Sequence, residues 1–241
     1  MSVACTTSLT DNAVHMRIFQ MTKIISVIQL KGGAGKSTVA TNLAAMLAEM
    51  GSTLLIDADE PQYTAESWHI LREEHGFTEN LELTTAKDEH AIAAELRRLS
   101  ALDTAPDYIV IDGPARMKSA SQYMMAISEL VIVPMGTAKA DLWSTFDFEE
   151  IVNLERKERP DLLVRLLLNK FRNATNSAHE VAAEAKKELT IPLMKTTLGY
   201  RVSYSDALGE GLCVDETRDT AAADEIRSLT KEVLRLLKGV S

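Results

Sequence analysis

The chain has 241 residues, of which 46% are hydrophobic and 25% charged, and its formal net charge is −9. No run approaches the roughly 18 consecutive apolar residues that a membrane helix needs, and the start lacks the basic and apolar regions of a secretion signal. We therefore expect a globular cytoplasmic protein with one large α/β domain. Cys5 and Cys213 stand alone, without C-x-x-C spacing or histidine neighbours, which argues against a disulfide framework or a metal site.

Residues 1–20 mix threonine, serine, asparagine and aspartate without a sustained period. We expect them to form a disordered tail, or to precede the natural start of the protein. Residues 21–241 are expected to form a single domain.

The first element is an apolar, β-branched strand over residues 23–28, followed by a glycine-rich loop and a helical pattern over residues 38–50. A strand-to-helix turn of this kind is where a phosphate group binds. The order of the three segments therefore predicts a phosphate site at the loop.

The residue types in the loop suit that chemistry. Gly32, Gly33 and Gly35 let the backbone turn tightly and direct several N–H groups to one anion, and the helix N-terminus adds its partial positive charge. Lys36 can reach the β- and γ-phosphates, and the hydroxyl of Ser37 can ligate Mg²⁺.

The loop departs from the usual G-x-x-x-x-G-K-[ST] pattern, because Leu30 occupies the first glycine position and a second lysine, Lys31, follows it. The run K-G-G-A-G-K-S-T resembles the deviant Walker A motif of the ParA/MinD superfamily of ATPases. This resemblance implies that Lys31 reaches the nucleotide of a second subunit in an ATP-sandwich homodimer; a solvated loop charge is the alternative. The residues it assigns to ATP binding are Lys31, Gly32, Gly33, Ala34, Gly35, Lys36, Ser37 and Thr38.

A short buried strand over residues 53–56 ends at Asp57, and Asp59 follows two positions later. Carboxylates at the carboxyl end of a parallel strand face the crevice where such folds bind ligands. The run resembles the family's D-x-D-P-Q motif, which implies that Asp57 and Asp59 serve Mg²⁺ hydration and the attacking water. Glu60 is an insertion and leaves open which acid approaches the γ-phosphate. An acidic turn that caps the next helix is the alternative.

The middle of the chain predicts core elements and one further acidic site. We expect a helix from Pro61 to near Gly76, a strand over residues 81–85 and a helix over residues 88–102. The next strand, over residues 107–111, ends at Asp112 and resembles Walker B, which holds Mg²⁺ through water; a helix cap is the alternative. The predicted metal set is Ser37, Asp57 and Asp112, and the predicted catalytic set is Lys31, Lys36, Asp57 and Asp59.

Residues 130–134 and 162–168 predict two more strands, and Asn169 ends the second. Its position resembles the family residue that touches adenine, although a strand-end asparagine is often only a turn residue. Helices are predicted over residues 140–156, 178–189 and 219–237. Within the first of these we expect Trp143, Phe146 and Ile151 to pack in the core.

The alternation of strands and helices predicts an α/β fold, a mostly parallel twisted sheet with helices on both faces. The resemblance extends over residues 23–238 and is strongest to small ParF-type ParA proteins of plasmid partition. It implies an ATP- and Mg²⁺-dependent ATPase whose dimer binds nucleoid DNA non-specifically. A ParB-like, cargo-bound adaptor would stimulate its slow hydrolysis.

Two other function classes remain open. A MinD-like ATPase would use a membrane instead of DNA, but the amphipathic residues 225–238 lack aromatics and mix acidic with basic residues, which favours packing on the sheet. A metabolic or kinase-like enzyme would need a second catalytic constellation, which the sequence does not suggest.

A net charge of −9 requires that DNA binding be local. Residues 165–201 carry seven lysines and arginines against three glutamates, which gives +4 and leaves −13 for the remainder. The candidates for DNA contact are Arg172, Lys195 and Arg201. Solvated helix faces are the alternative explanation of this charge.

Overall fold

The computed structural model describes residues 22–115 and 117–239, so the predicted tail and Cys5 lie outside the described residues. The strands are β1 (Lys23–Val27), β2 (Thr53–Asp57), β3 (Leu81–Thr85), β4 (Tyr108–Asp112), β5 (Leu130–Met135) and β6 (Leu163–Leu168). The helices are α1 (Lys36–Ala48), α2 (Thr64–Glu74), α3 (Glu89–Ser100), α4 (Lys118–Ile127), α5 (Lys139–Glu158), α6 (Asn176–Glu188), α7 (Val202–Gly209) and α8 (Thr220–Lys238). A short 3-10 turn, Val214–Glu216, lies between the last two helices.

The six strands form one sheet in the order β3-β2-β4-β1-β5-β6, and every neighbouring pair is parallel. The predicted parallel sheet is thus confirmed. Strand β1 lies between β4 and β5, and the crevice at the carboxyl end of such a central strand is the usual ligand site of these sheets. In the register, Val27 lies opposite Asp112, and Asp112 lies opposite Asp57.

Helices cover both faces of the sheet. Helices α3 to α6 pack against one face, which includes Ile24 and Ile111, and helices α1, α2, α7 and α8 pack against the other, which includes Ile25 and Val110. Alternate strand residues therefore enter opposite cores, and both sets are apolar because a parallel sheet is buried on both faces.

Each predicted strand and helix is present, and each begins and ends within three residues of its expected position. The apolar face of α8 packs on the sheet, with Ile226, Leu229 and Val233 fully buried, as the mixed charge of its polar face predicts. Among the residues described, none of the helices has the length and apolar character to cross a membrane.

The sequence patterns did not predict helices α4 and α7, and one packing expectation was wrong. Phe146 and Ile151 do pack against the core, but Trp143 is 63% exposed. The buried face of α5 includes Leu142 and Phe148. Trp143 is turned about 100° from its neighbour Leu142, because each helical residue advances the side chain by that angle.

Candidate nucleotide-binding site

The glycine-rich loop after β1 adopts a conformation that favours glycine at two positions. Gly33 has φ 75° and Gly35 has φ 92°, both in the left-handed region. A Cβ atom on Gly35 would lie 2.1 Å from Nδ2 of Asn169. The loop is therefore held tightly against the end of β6.

Two residues at the end of β6 support this loop through its carbonyl groups. Nδ2 of Asn169 donates to the carbonyl of Ala34 at 2.8 Å, and Nζ of Lys170 donates to the carbonyl of Gly33 at 2.8 Å. Both bonds engage carbonyl groups of the loop, and in loops that precede a helix it is the backbone N–H groups that bind an anion. The contact of Asn169 with adenine stays a prediction.

A cavity of about 620 Å³ adjoins the loop. Lys36, Ser37 and Thr38 line it from the start of α1, and Asp59 and Glu60 line it from the loop after β2. This volume is within the range of about 300–1,000 Å³ that small-molecule sites occupy. The cavity therefore has room for a nucleotide beside the phosphate-binding loop.

Asp59 connects three of the predicted motifs. Its Oδ2 lies 3.7 Å from Nζ of Lys36, which is 5% exposed, and its Oδ1 accepts from the backbone N–H of Ala115 at 2.9 Å. The carboxylate thus lies between Lys36 and the turn after β4, and it lines the cavity.

Asp57 has a different environment. Its Oδ1 accepts from the N–H of Asp59 at 3.1 Å, and its Oδ2 accepts from the N–H groups of Ala65 and Glu66 at 2.8 and 3.0 Å. Burial raises its pKa, and these backbone N–H groups oppose the rise. The carboxylate therefore caps the first turn of α2, and it is Asp59 and Glu60 that line the cavity.

Asp112 is fully buried, and burial raises its pKa to about 8. Neither of its carboxylate oxygens has a well-oriented donor among the described residues, although the Ser37 hydroxyl and the Lys36 ammonium lie close enough to lower that pKa. A buried carboxylate without a partner is costly unless it takes up a proton or a cation joins it. This donor set therefore fits Mg²⁺.

Water and substrate phosphates would complete a magnesium shell at this site. In the described ranges there is no group of three histidine, cysteine, aspartate or glutamate residues that could hold a metal ion. Mg²⁺ commonly binds through one or two protein oxygens together with water and substrate phosphates. Ser37 and Asp112 would supply the protein oxygens in that arrangement.

Lys31 lies at the other end of the loop and does not line the nucleotide cavity. Its Nζ lies 2.5 Å from Oδ1 of Asp141, in the first turn of α5. The two side chains are 34% and 19% exposed, so the ion pair is partly shielded from solvent.

The three predicted DNA-contact residues have different surroundings. Arg172 is exposed and stacks on the ring of Tyr200 at 4.2 Å, and Lys195 is exposed. Arg201 is held by an ion pair with Glu225 at 2.9 Å. The structure therefore leaves Arg172 and Lys195 more available to a ligand than Arg201.

Sequence reasoning missed Asp141 and Lys170 as neighbours of the loop. Asp141 lies 110 positions after Lys31, and Lys170 lies 137 positions after Gly33. Of these two residues, only Lys170 could have been predicted from the sequence. It directly follows Asn169 at the end of a strand that was expected to end at the site.

Comparison with known proteins agrees with this geometry. The model of the CobQ/CobB/MinD/ParA nucleotide binding domain matches residues 25–214. The maintenance of carboxysome distribution protein A of Halothiobacillus neapolitanus is 29% identical over 216 residues, which cover 87% of this chain and 95% of that protein. The chromosome-partitioning ATPase Soj of Thermus thermophilus is 26% identical over 239 residues, which cover 87% of this chain and 94% of that protein.

Among solved structures, apo McdA of Cyanothece is similar to this chain, with a TM-score of 0.72. The alignment has 18% sequence identity and covers 88% of this chain and 99% of that one. At this identity the similarity shows a common fold.

Proposed function

The chain belongs to the CobQ/CobB/MinD/ParA nucleotide-binding family, and from this we propose that it is an ATPase that dimerises with ATP and partitions or positions a cargo. The cargo would be a plasmid, a chromosomal origin or a protein assembly. An adaptor protein bound to the cargo would stimulate hydrolysis, and the ATP-bound dimer would bind DNA non-specifically on the nucleoid.

The observation that carries the proposal is the separation of the two loop lysines. Lys36 is buried and lines the nucleotide cavity, whereas Lys31 lies outside that cavity. A lysine that does not line the cavity of its own subunit would serve the nucleotide of a second copy once it leaves Asp141. Loss of the γ-phosphate would then release the dimer.

The chemistry follows from the residues around the cavity. Phosphoryl transfer requires mainly positioning and charge stabilisation. The ammonium groups of Lys36 and, across the dimer, Lys31 would offset the charge of the phosphates, and Asp59 would orient the attacking water. Mg²⁺ bound near Ser37 and Asp112 would neutralise phosphate charge.

The names of both relatives, one for carboxysome distribution and one for chromosome partitioning, describe positioning inside a cell. Each alignment covers more than nine tenths of the relative's length. This supports a positioning role for the present chain as well.

DNA is the proposed surface because exposed cations are present and α8 does not expose its apolar face. Arg172 and Lys195 are exposed, and they would contact phosphates without reading bases. Arg201 would act mainly by holding the segment before α7. The apolar face of α8, which a MinD-like membrane anchor would need, is buried on the sheet.

Light scattering tests the dimerisation. A non-hydrolysable ATP analogue with Mg²⁺ should double the mass from 26.5 kDa, and ADP should not. The Lys36→Ala variant should lose nucleotide binding, whereas Lys31→Ala should bind nucleotide and remain monomeric. Lys187→Ala, a change in an exposed lysine of α6, serves as the control and should dimerise normally. A Lys31→Ala protein that dimerises with ATP would refute the role of Lys31 across the interface.

A further inference from the structure

The ion pair between Lys31 and Asp141 is built into the fold. Asp141 uses its second oxygen, Oδ2, to accept from the backbone N–H of Ala138 at 3.0 Å, which caps the start of α5. A Cβ atom on Gly136 would lie 2.4 Å from the same oxygen. The carboxylate therefore has a fixed place beside a backbone that leaves room for it, and it holds Lys31 from there.

This contact competes with the action of Lys31 on another subunit. Oδ1 of Asp141 holds the Lys31 ammonium at 2.5 Å within one chain. The cap on Ala138 keeps the carboxylate at the helix end when the lysine side chain extends elsewhere. A Lys31 that reaches across a subunit interface must therefore give up Asp141.

We propose that Asp141 is a positioning residue that holds Lys31 in the monomer and thereby raises the ATP concentration at which the protein dimerises. This inference rests on the proposed function of Lys31 across the dimer. A partly exposed ion pair of this kind changes an equilibrium by about two- to fivefold. Because each dimer opens two such pairs, the dimerisation constant should change by about 4- to 25-fold when both are removed.

The test uses Asp141→Asn, which removes the charge and keeps an oxygen to cap Ala138. Dimer formation is measured by light scattering while a non-hydrolysable ATP analogue is titrated. The variant should dimerise at a lower analogue concentration than the wild type. Glu184→Gln is the matched control, because it removes the ion pair of Lys139 on the same helix without touching Lys31, and it should leave the titration unchanged.

The double variant Lys31→Ala/Asp141→Asn should remain monomeric, as Lys31→Ala does, because removal of Asp141 acts only by releasing Lys31. Dimerisation of the double variant with the analogue, or a wild-type midpoint in Asp141→Asn alone, overturns the inference.

A second readout does not depend on dimers. Acylation of lysine amines in the nucleotide-free protein, followed by mass spectrometry, reports whether Asp141 shields the Lys31 ammonium. Lys31 should react faster in Asp141→Asn, and the exposed Lys186 should react equally in both proteins. If the wild type never dimerises, the proposed function is wrong, and so is the proposed effect of Asp141 on the ATP concentration needed for dimerisation. If the wild type dimerises but Lys31 reacts at the same rate in both proteins, only the role of Asp141 is overturned.

Discussion

Replacing Gly35 by alanine should damage the nucleotide site in two separable ways. At φ 92° an alanine meets a left-handed backbone that costs about 1–2 kcal/mol. Its Cβ would also lie 2.1 Å from Nδ2 of Asn169, so that side chain must move. Its buried bond to the Ala34 carbonyl would then be lost, at a cost of about 1–3 kcal/mol.

The two costs sum to about 2–5 kcal/mol, which lowers the melting temperature of a chain of this size by about 4–20 °C. Variants at two other glycines distinguish the backbone cost from the cost of the clash. Gly33 has φ 75° and no atom within 4 Å of its Cβ position, so Gly33→Ala should show only the backbone cost, about 1–2 kcal/mol. Gly209, without a positive φ or a close neighbour, should change stability by about 0.5 kcal/mol or less when replaced by alanine.

The assay is thermal unfolding of the three variants and of Gly35→Ala/Asn169→Ala, with nucleotide affinity measured in parallel. The double variant removes the clash but keeps the backbone strain, so the cost of the Gly35 change should be smaller in the Asn169→Ala background than in the wild type. Wild-type melting and nucleotide affinity in Gly35→Ala would refute both the backbone strain and the clash with Asn169.

Three further predictions concern the acids at the site and one buried arginine. Asp59→Ala should keep the ATP-dependent dimer but release no phosphate, whereas Glu60→Ala should hydrolyse ATP normally. The reverse result in a phosphate-release assay would assign the water-orienting role to Glu60. Because burial raises the pKa of Asp112 from 3.8 to about 8, the folded state keeps a proton that the unfolded chain loses, so stability should fall as pH rises between these values. The melting temperature of Asp112→Asn should therefore rise relative to that of the wild type as pH increases from 5 to 8, measured with a chelator and without nucleotide. Plots of melting temperature against pH that run parallel for the two proteins would contradict this. Arg72→Ala should lower the free energy of unfolding by about 3–5 kcal/mol, because the buried guanidinium forms a two-pronged ion pair and lies over two aromatic rings. Replacing the exposed Arg98 by alanine should change it by about 0.5 kcal/mol or less. Equal effects of the two changes in denaturant titrations would refute this distinction.

Local patterns were sufficient for the sheet and for the loop between β1 and α1. A parallel strand buried on both faces has a continuous apolar run, and such runs located β1, β4 and β5 within one residue. The glycine spacing likewise predicted a tight turn between β1 and α1, which the left-handed φ of Gly33 and Gly35 confirms, since this backbone geometry depends on adjacent residues.

Helix α4 could have been found, because Ala120, Met124 and Ile127 recur at helical spacing and are buried. Contacts between distant elements could not be predicted from local sequence patterns. The charge of Arg201 suggested a DNA contact, but its guanidinium pairs with Glu225 in another element. The contact of Asp141 with Lys31 likewise depends on how distant elements pack, whereas the cap that Asp57 forms on α2 is local and was the alternative that the sequence offered.

Co-sedimentation with random duplex DNA, in ATP, ADP or no nucleotide, tests the central claim most directly. We expect ATP-dependent binding that weakens steeply with salt. The Arg172→Ala/Lys195→Ala variant should still dimerise, and loss of four phosphate contacts per dimer should reduce the slope of log affinity against log salt by about 3.6. Binding to anionic liposomes instead of DNA, or DNA binding that is the same with ADP as with ATP, would contradict the account.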